Sequence, residues 1–417
     1  MIAGKGAGGA GQTKIVRVIA RLNVGGPSIH AVLLTQGLND DRWASVLVTG
    51  TVGKLEGDMG YFADAQGVTP LVVPELGREI SWFDDLTALR KLVGIFRRER
   101  PCIVHTHTAK AGTLGRLAAL LAGVPIRIHT FHGHVFHGYF SPIKTALFLW
   151  IERCLAVVTT KIVAISAAQR DQLSGTFRIA PREKFSVIPL GLDLAPFLAI
   201  DRIQEPDGRR EDSRPFHIGF VGRLVPIKRP ALAVDAFRRL VEIRKGHVSP
   251  VLLFVGNGEL REAVEDAAVR SGIRAHVRFI GWERDLGRVY EKLDVLLLTS
   301  ENEGTPVALI EAMAAGVPFV ATRVGGLPDL MAGREQVVRR DGGRTVFSVW
   351  DNGILVAPGD VDGAAAGMEY LLSDALLRRR MGDAGRAFVT ARFSKERLVR
   401  DVATLYEQEL AAVGLRR

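Results

Sequence analysis

The stretch TSENEGTPVALIEAMAAGVP (Thr299–Pro318) decides how the rest of this 417-residue chain is read. It continues DVLLLTS, a short apolar run with the character of a buried strand. Gly304-Thr305-Pro306 then opens a helix, with proline expected at its first position. The free N–H groups around Val307 and Ala308 would face the ground beyond the strand's carboxyl end and suit a phosphate. Glu303 precedes the helix and Glu311 lies eight residues later, about 12 Å along an axis that rises roughly 1.5 Å per residue. That distance is too long for a paired acid–base dyad. It matches two carboxylates reaching opposite ends of one extended ligand.

Strand–turn–helix is also the unit on either side. Upstream, KIVRVIA, ASVLVTG, TPLVV, CIVHTH, IRIHTF, KIVAIS and FSVIPL are strand candidates separated by helical patterns such as LTALRKLVGIFRRE and AGTLGRLAALLAG. The polar segment AIDRIQEPDGRREDSR breaks the periodicity and reads as a linker. Alternation restarts with PFHIGFVG and runs through VLLFVG, HVRFIG, DVLLLTS, PFVAT and GILVAPG. Alternation of this kind builds parallel sheets covered on both faces. The expected fold class is therefore α/β: two tandem Rossmann-like, doubly wound domains facing a cleft. The expected boundaries are a flexible tail over 1–13, a first domain over 14–197, a linker over 198–214 and a second domain over 215–390. Residues 391–417 form a last helix packing back on the first domain. Ligands of such sheets bind beyond the carboxyl ends of the strands.

Composition excludes several function classes. The chain is 47% hydrophobic and 24% charged, which is globular. Cys102 and Cys154 are its only cysteines, too few for a disulfide framework, and a reducing cytoplasm is expected. The apolar run TALFLWIERCLAVVTT is interrupted by Glu152 and Arg153, short of the roughly 20 residues that span a bilayer. Of the net +10, residues 1–200 hold 22 basic and 14 acidic side chains, or +8. A basic first half points to an anionic partner. The absence of zinc-finger spacing and of an RNP signature argues against nucleic acid.

Two further loops carry chemistry. In FVGRLVPIKRP (Phe220–Pro230) a strand ends at Gly222, and Arg223 and Lys228 follow in one loop where two cations can clamp a diphosphate. RLNVGGPSIH (Arg21–His30) and VGNGEL (Val255–Leu260) are glycine turns between strand and helix, able to offer backbone N–H groups. The chain also carries VHTHT and IHTFHGHVFHG, which bring six of its ten histidines within 33 positions.

The set GR–x4–K followed by E–x7–E, with AMAAGVPFVATRVGGLPDL behind it, resembles the retaining glycosyltransferases of family 4, which have the GT-B fold. The resemblance covers nearly the whole chain and implies a nucleotide-sugar donor, commonly a UDP-sugar, as co-substrate. It implies that Arg223, Lys228 and the helix start at Thr305, Val307 and Ala308 hold the diphosphate. Glu311 would accept from the ribose, Glu303 from the transferred sugar, and Gly25 and Gly26 would approach from the first domain. GWERDL (Gly281–Leu286) matches the loop lining the base. His132 occupies the place of a histidine facing the donor sugar, so His132, Glu303, Arg223 and Lys228 form the expected catalytic set. His134 and His137 would line the acceptor side.

The family implies no metal and no further cofactor. The alternating histidines, with no carboxylate adjacent, read as strand-end residues: His105, His107 and His129 are expected to be hydrogen-bonded within the fold. The +8 half, with Phe140 and the helix around Phe148–Trp150, suggests a polyprenyl-linked glycan or other lipid acceptor. It also suggests an anionic membrane surface as partner, at the inner face of the cell membrane. Rival readings are a nucleotide-sugar epimerase of the same fold, a metal-dependent hydrolase using His105, His107, His132 and His134, and a non-catalytic binding protein. After GGLPDL, the segment around 331–352 is longer than in family members and reads as a hairpin, with DGG as its turn, close to the donor site.

Overall fold

The computed structural model describes residues 12–53, 57–77, 81–133, 142–201, 214–343 and 345–415. Two compact units emerge, one of residues up to Leu192 together with Lys395 onward, the other Asp193–Ser394. Most of the linker read from sequence, 202–213, lies outside the described residues, as do His134, His137 and Phe140.

In the first unit, seven strands form a parallel sheet. They are β1 (Thr13–Arg21), β2 (Trp43–Gly50), β3 (Leu71–Val72), β4 (Ile103–His107), β5 (Ile126–Phe131), β6 (Lys161–Ala164) and β7 (Phe185–Val187), in the order β3-β2-β1-β4-β5-β6-β7. The central strands are buried on both faces, which is why they read as near-continuous apolar runs. The chain leaves β1 to one side and returns on the other at β4, so the topological switch point lies between these two strands. The terminal helix Lys395–Ala412 belongs to this unit. Its Leu398, Val402, Leu405 and Tyr406 are buried against Ile15, Ile103, Ile126 and Val163.

The second unit has eight strands: β8 (His217–Val221), β9 (Val251–Val255), β10 (Val277–Gly281), β11 (Val295–Leu298), β12 (Phe319–Thr322), β13 (Gln336–Arg340), β14 (Thr345–Trp350) and β15 (Gly353–Val356). Their order is β10-β9-β8-β11-β12-β15-β14-β13, with the switch point between β8 and β11. The segment after GGLPDL is a hairpin, β13 antiparallel to β14, turning through Asp341–Gly343 with Gly342 at φ 66°. It was expected near the donor loops. Instead it extends the sheet edge beyond β15, so β14 stands three strands from β11, about 14 Å at the usual spacing.

No helix among the described residues is long and apolar enough to cross a membrane. The helix Pro142–Val158 nevertheless leaves Ile143, Leu147, Trp150 and Val157 exposed, spaced as one helical face. Phe148, expected on that surface with Trp150, packs inward with Leu149 against the cluster around Phe131 and Ile162. Trp82 and Phe83, at the start of the helix Trp82–Glu99, are also exposed.

Candidate active site

The expected donor residues sit at the switch point of the second sheet. Arg223 and Lys228 follow β8, and Glu303 and the helix Val307–Ala314 follow β11, the strand paired to β8. Lys228 Nζ pairs with Glu303 Oε1, which also accepts 2.6 Å from Ser300 Oγ. The cation assigned to the diphosphate and the carboxylate assigned to the sugar are thus partners of one another. The Arg223 side chain is half-buried and has no partner among the described residues. The loop is held by its backbone: Glu301 N donates to Ile227 O at 2.8 Å, and Thr299 Oγ1 donates to Lys228 O and Arg229 O.

Two sequence expectations change. Pro306 is the residue before the helix, with extended φ and ψ, rather than its first helical residue. The first turn starts at Val307 without side-chain capping, which leaves N–H groups of Val307 and Ala308 as candidate phosphate donors. Glu303 therefore lies in the loop, off the helix axis, and its distance from Glu311 is set by that loop. Thr305 is half-buried in that loop. The VGNGEL turn packs on the cation loop: Leu224 N donates to Asn257 O at 3.0 Å. GWERDL follows β10 with Trp282 exposed, and Asp285 caps the helix Leu286–Lys292.

Glycine is required where the Glu303 loop meets the chain after β12. Gly325 has φ 53°, and a Cβ there would stand 1.9 Å from the Glu303 carbonyl oxygen, which accepts from Gly326 N at 3.0 Å. Gly325→Ala is expected to displace Glu303 and to lower both turnover and thermal stability. An alanine variant with wild-type turnover would show that this contact does not hold the carboxylate.

Glu311 is buried on the helix Val307–Ala314, and Tyr290 from the preceding helix donates its hydroxyl proton to Glu311 Oε2 at 2.9 Å. Sequence reading missed Tyr290, because nothing local in VYEKLD marks a partner 21 residues away. Burial raises the Glu311 carboxyl to about 7, against the opposing hydrogen bond from Tyr290. A folded value above the unfolded one means that this group's stabilisation is present below about pH 4.5 and is lost as pH rises through about 7. The loss is of order 3 kcal/mol. Glu311→Gln is therefore expected to gain stability relative to the native chain between about pH 5 and pH 8. Parallel thermal melts across that range would refute the buried, proton-holding carboxyl.

In the first unit the histidines separate into two groups. His105 is satisfied at both nitrogens, 2.6 Å from the Tyr406 hydroxyl and 2.7 Å from Thr130 Oγ1. Arg17 Nη2 donates to the same Tyr406 oxygen at 3.3 Å. His129 Nδ1 lies 2.9 Å from Thr106 Oγ1. These two are hydrogen-bonded as expected, and His105 has no nitrogen left for the hydrolase set. His107 meets His132, Nδ1 to Nε2 at 3.0 Å. His30, which the sequence singled out for no role, packs edge-on against both rings. Burial holds His132 neutral, its value lowered to about 3. Gly25 and Gly26 lead into the same helix as His30, Gly26–Gly37.

Comparison with known proteins adds independent support. Residues 24–196 match the model of glycosyltransferase family 4, and residues 201–388 that of the glycosyl transferases group 1. The UDP-Gal:alpha-D-GlcNAc-diphosphoundecaprenol alpha-1,3-galactosyltransferase of Escherichia coli is 32% identical over 266 residues, 62% of this chain and 67% of that protein. The capsular polysaccharide biosynthesis glycosyltransferase CapM of Staphylococcus aureus is 27% identical over 345 residues, 80% of this chain and 84% of CapM. Among solved structures, Anabaena HepE in complex with UDP and glucose aligns at a TM-score of 0.74 and 18% identity, covering 95% of this chain and 100% of HepE, a likeness of fold. With both halves matched and both sheets wound about a switch point, the chain belongs to glycosyltransferase family 4 and is a glycosyltransferase of the GT-B fold.

Proposed function

We propose that this enzyme transfers a sugar from a UDP-sugar, with retention of anomeric configuration, to a hydroxyl of a polyprenyl-linked glycan or polysaccharide precursor. The observation that carries the reading is the convergence of Arg223, Lys228, Glu303 and the uncapped helix start at the β8–β11 switch point. Charge develops on the departing diphosphate, and fixed cations and N–H groups offset it most strongly. Arg223, Lys228 and the N–H groups of Val307 and Ala308 supply that charge, with Thr305 beside them, and no metal bridges the diphosphate. Glu311 accepts from the ribose hydroxyls and Glu303 from the sugar. Gly25 and Gly26 approach the donor, His132 acts at the sugar, and His134 and His137 serve the acceptor.

The acceptor class follows from two observations. The Escherichia coli relative is named for a diphosphoundecaprenol-linked acceptor. The exposed Ile143, Leu147 and Trp150 face gives the first unit an apolar contact for a bilayer, and its basic excess an attraction to anionic lipid. On this reading the protein works at the inner face of the cell membrane.

The test is incubation with a panel of UDP-sugars and vesicles bearing a polyprenyl diphosphate sugar, with UDP release and product anomer read by NMR. UDP release that depends on acceptor and gives a retained anomer is expected. Epimerised donor, or an inverted product, would overturn the reading. Ile143→Asp with Trp150→Asp is expected to weaken binding to anionic vesicles while leaving UDP binding intact. Vesicle binding equal to the native chain would remove the membrane assignment.

A further inference from the structure

His107 and His132 face each other through ring nitrogens, Nδ1 to Nε2 at 3.0 Å. Two lone pairs repel at that distance, so one of the two rings carries a proton there. Both rings are neutral, because burial holds each well below the ordinary histidine range. A neutral imidazole has one N–H, so the shared contact fixes both tautomers at once. With His132 Nε2 as donor, His107 keeps its own proton on Nε2. With His107 Nδ1 as donor, His132 keeps its proton on Nδ1. His107 Nε2 and His132 Nδ1 are both buried, without a hydrogen-bond partner among the described residues. The two arrangements therefore differ in where an unpaired N–H stands.

The surroundings separate them. His107 is the last residue of β4, wholly buried, and that strand is paired to β1 on one side and β5 on the other. Its ring lies against His105, centroids 4.5 Å apart and planes 30° apart, and both His105 nitrogens are already bonded. Thr108, the next residue, has φ 67° and ψ 159°, a backbone region that all but glycine avoid. A residue is held there only where its neighbours over-determine it, so the end of β4 is a fixed point. An N–H on His107 Nε2 is enclosed by the fold and stays unpaired, at a cost of about 1–3 kcal/mol. His132 lies past the end of β5 and is half-buried, so an N–H on its Nδ1 can be met by a ligand at that end of the sheet. We infer that His107 is a positioning residue for His132: its Nδ1–H donates to His132 Nε2 and holds His132 as the Nδ1–H tautomer, a hydrogen-bond donor toward the transferred sugar. The inference rests on the proposed role of His132 at that sugar. His30, at 81° to the His132 ring with centroids 4.7 Å apart, packs on it and limits its rotation. Neutral imidazole in water favours the proton on Nε2, so this tautomer is imposed by the protein.

The test reads the tautomer directly. In the full chain, isotopically labelled at its histidine rings, long-range NMR correlations between ring protons and ring nitrogens distinguish Nδ1–H from Nε2–H. His132 is assigned through bonds from its own backbone, so the measurement depends on no variant and needs neither donor nor acceptor. The Nδ1–H form is expected, and the Nε2–H form would overturn the inference. His107→Leu removes the donor and should return His132 to the Nε2–H form. Turnover at saturating UDP-sugar should then fall by about 10- to 100-fold, the order seen when partners that orient metal-bound histidines are lost. UDP affinity should not change. His107→Asn puts an amide donor near the place of Nδ1 and should restore both the tautomer and most of the turnover. Circular dichroism checks that the variants fold. A folded leucine variant with native turnover or the native tautomer, or an asparagine variant no better than the leucine one, would overturn the inference. Because the tautomer is read without substrate, it stands or falls apart from the sugar role, which full activity of His132→Ala would remove.

Discussion

Arg223→Ala is expected to lower turnover by about 10²- to 10³-fold at saturating UDP-sugar, the usual loss when one preorganised donor to a developing anion is removed. The half-buried Arg223 side chain has no partner among the described residues, so the fold loses little when it is cut back. Its melting temperature should stay near that of the native chain. Lys228→Ala should cost a similar factor, with a loss of stability added. Its ion pair with Glu303 is largely buried, side chains 20% and 10% accessible, so removing the lysine leaves the carboxylate uncompensated and costs more than the roughly 1 kcal/mol of an exposed pair. The pairing gives a further discriminant. If Lys228 moves between Glu303 and the diphosphate, Glu303→Gln frees the lysine and should not weaken UDP binding, even as it damages transfer. Steady-state kinetics beside calorimetry with UDP measures both quantities. Near-native turnover of Arg223→Ala would sink the diphosphate assignment.

The second large effect is expected at His132. His132→Ala should lower turnover by about 10²- to 10³-fold, while UDP affinity stays close to native. The diphosphate and ribose belong, on the proposed reading, to Arg223, Lys228 and Glu311 of the other unit, so nucleotide binding does not need the imidazole. Because burial holds His132 neutral, with its value near 3, the ring acts as a hydrogen-bonding group rather than a cation across the working pH range. An acidic limb in the activity profile should therefore follow Glu311, raised to about 7, and should shift in Tyr290→Phe, which removes a hydrogen bond that holds the Glu311 value down. Equal losses of UDP affinity and turnover in His132→Ala, or no loss in either, would remove the histidine from the sugar.

Much of the architecture was legible in local pattern. Apolar runs of strand length, alternating with helical periodicity, imply parallel sheets because a parallel strand pair needs a crossover between its members. That reasoning reaches β1, β4, β5, β8 and β11 one by one, and it places Arg223, Lys228, Glu303 and Glu311 on the loops and helix after β8 and β11. The DGG turn likewise marks the hairpin of β13 and β14, since Gly342 and Gly343 both adopt positive φ within that turn. Its place was not legible. Which edge a hairpin extends depends on strand order, and strand order is a property of the whole sheet.

The same limit explains what was missed at the site. Lys228 and Glu303 are 75 residues apart, His107 and His132 are 25 apart, and His105 and Tyr406 are 301 apart. Each pair meets because a crossover brings two parallel strands side by side, β4 beside β5 and β8 beside β11, or because the terminal helix returns to the first sheet. Periodicity reports which face of an element is buried, but it carries no information about what the neighbouring element brings to that face. The sequence by itself determined the α/β class, the two sheets and the loops to which the donor chemistry is assigned. Only the tertiary structure decided that Tyr290 backs Glu311 and that His30 joins His107 and His132, because these contacts are made across strand order rather than along the chain.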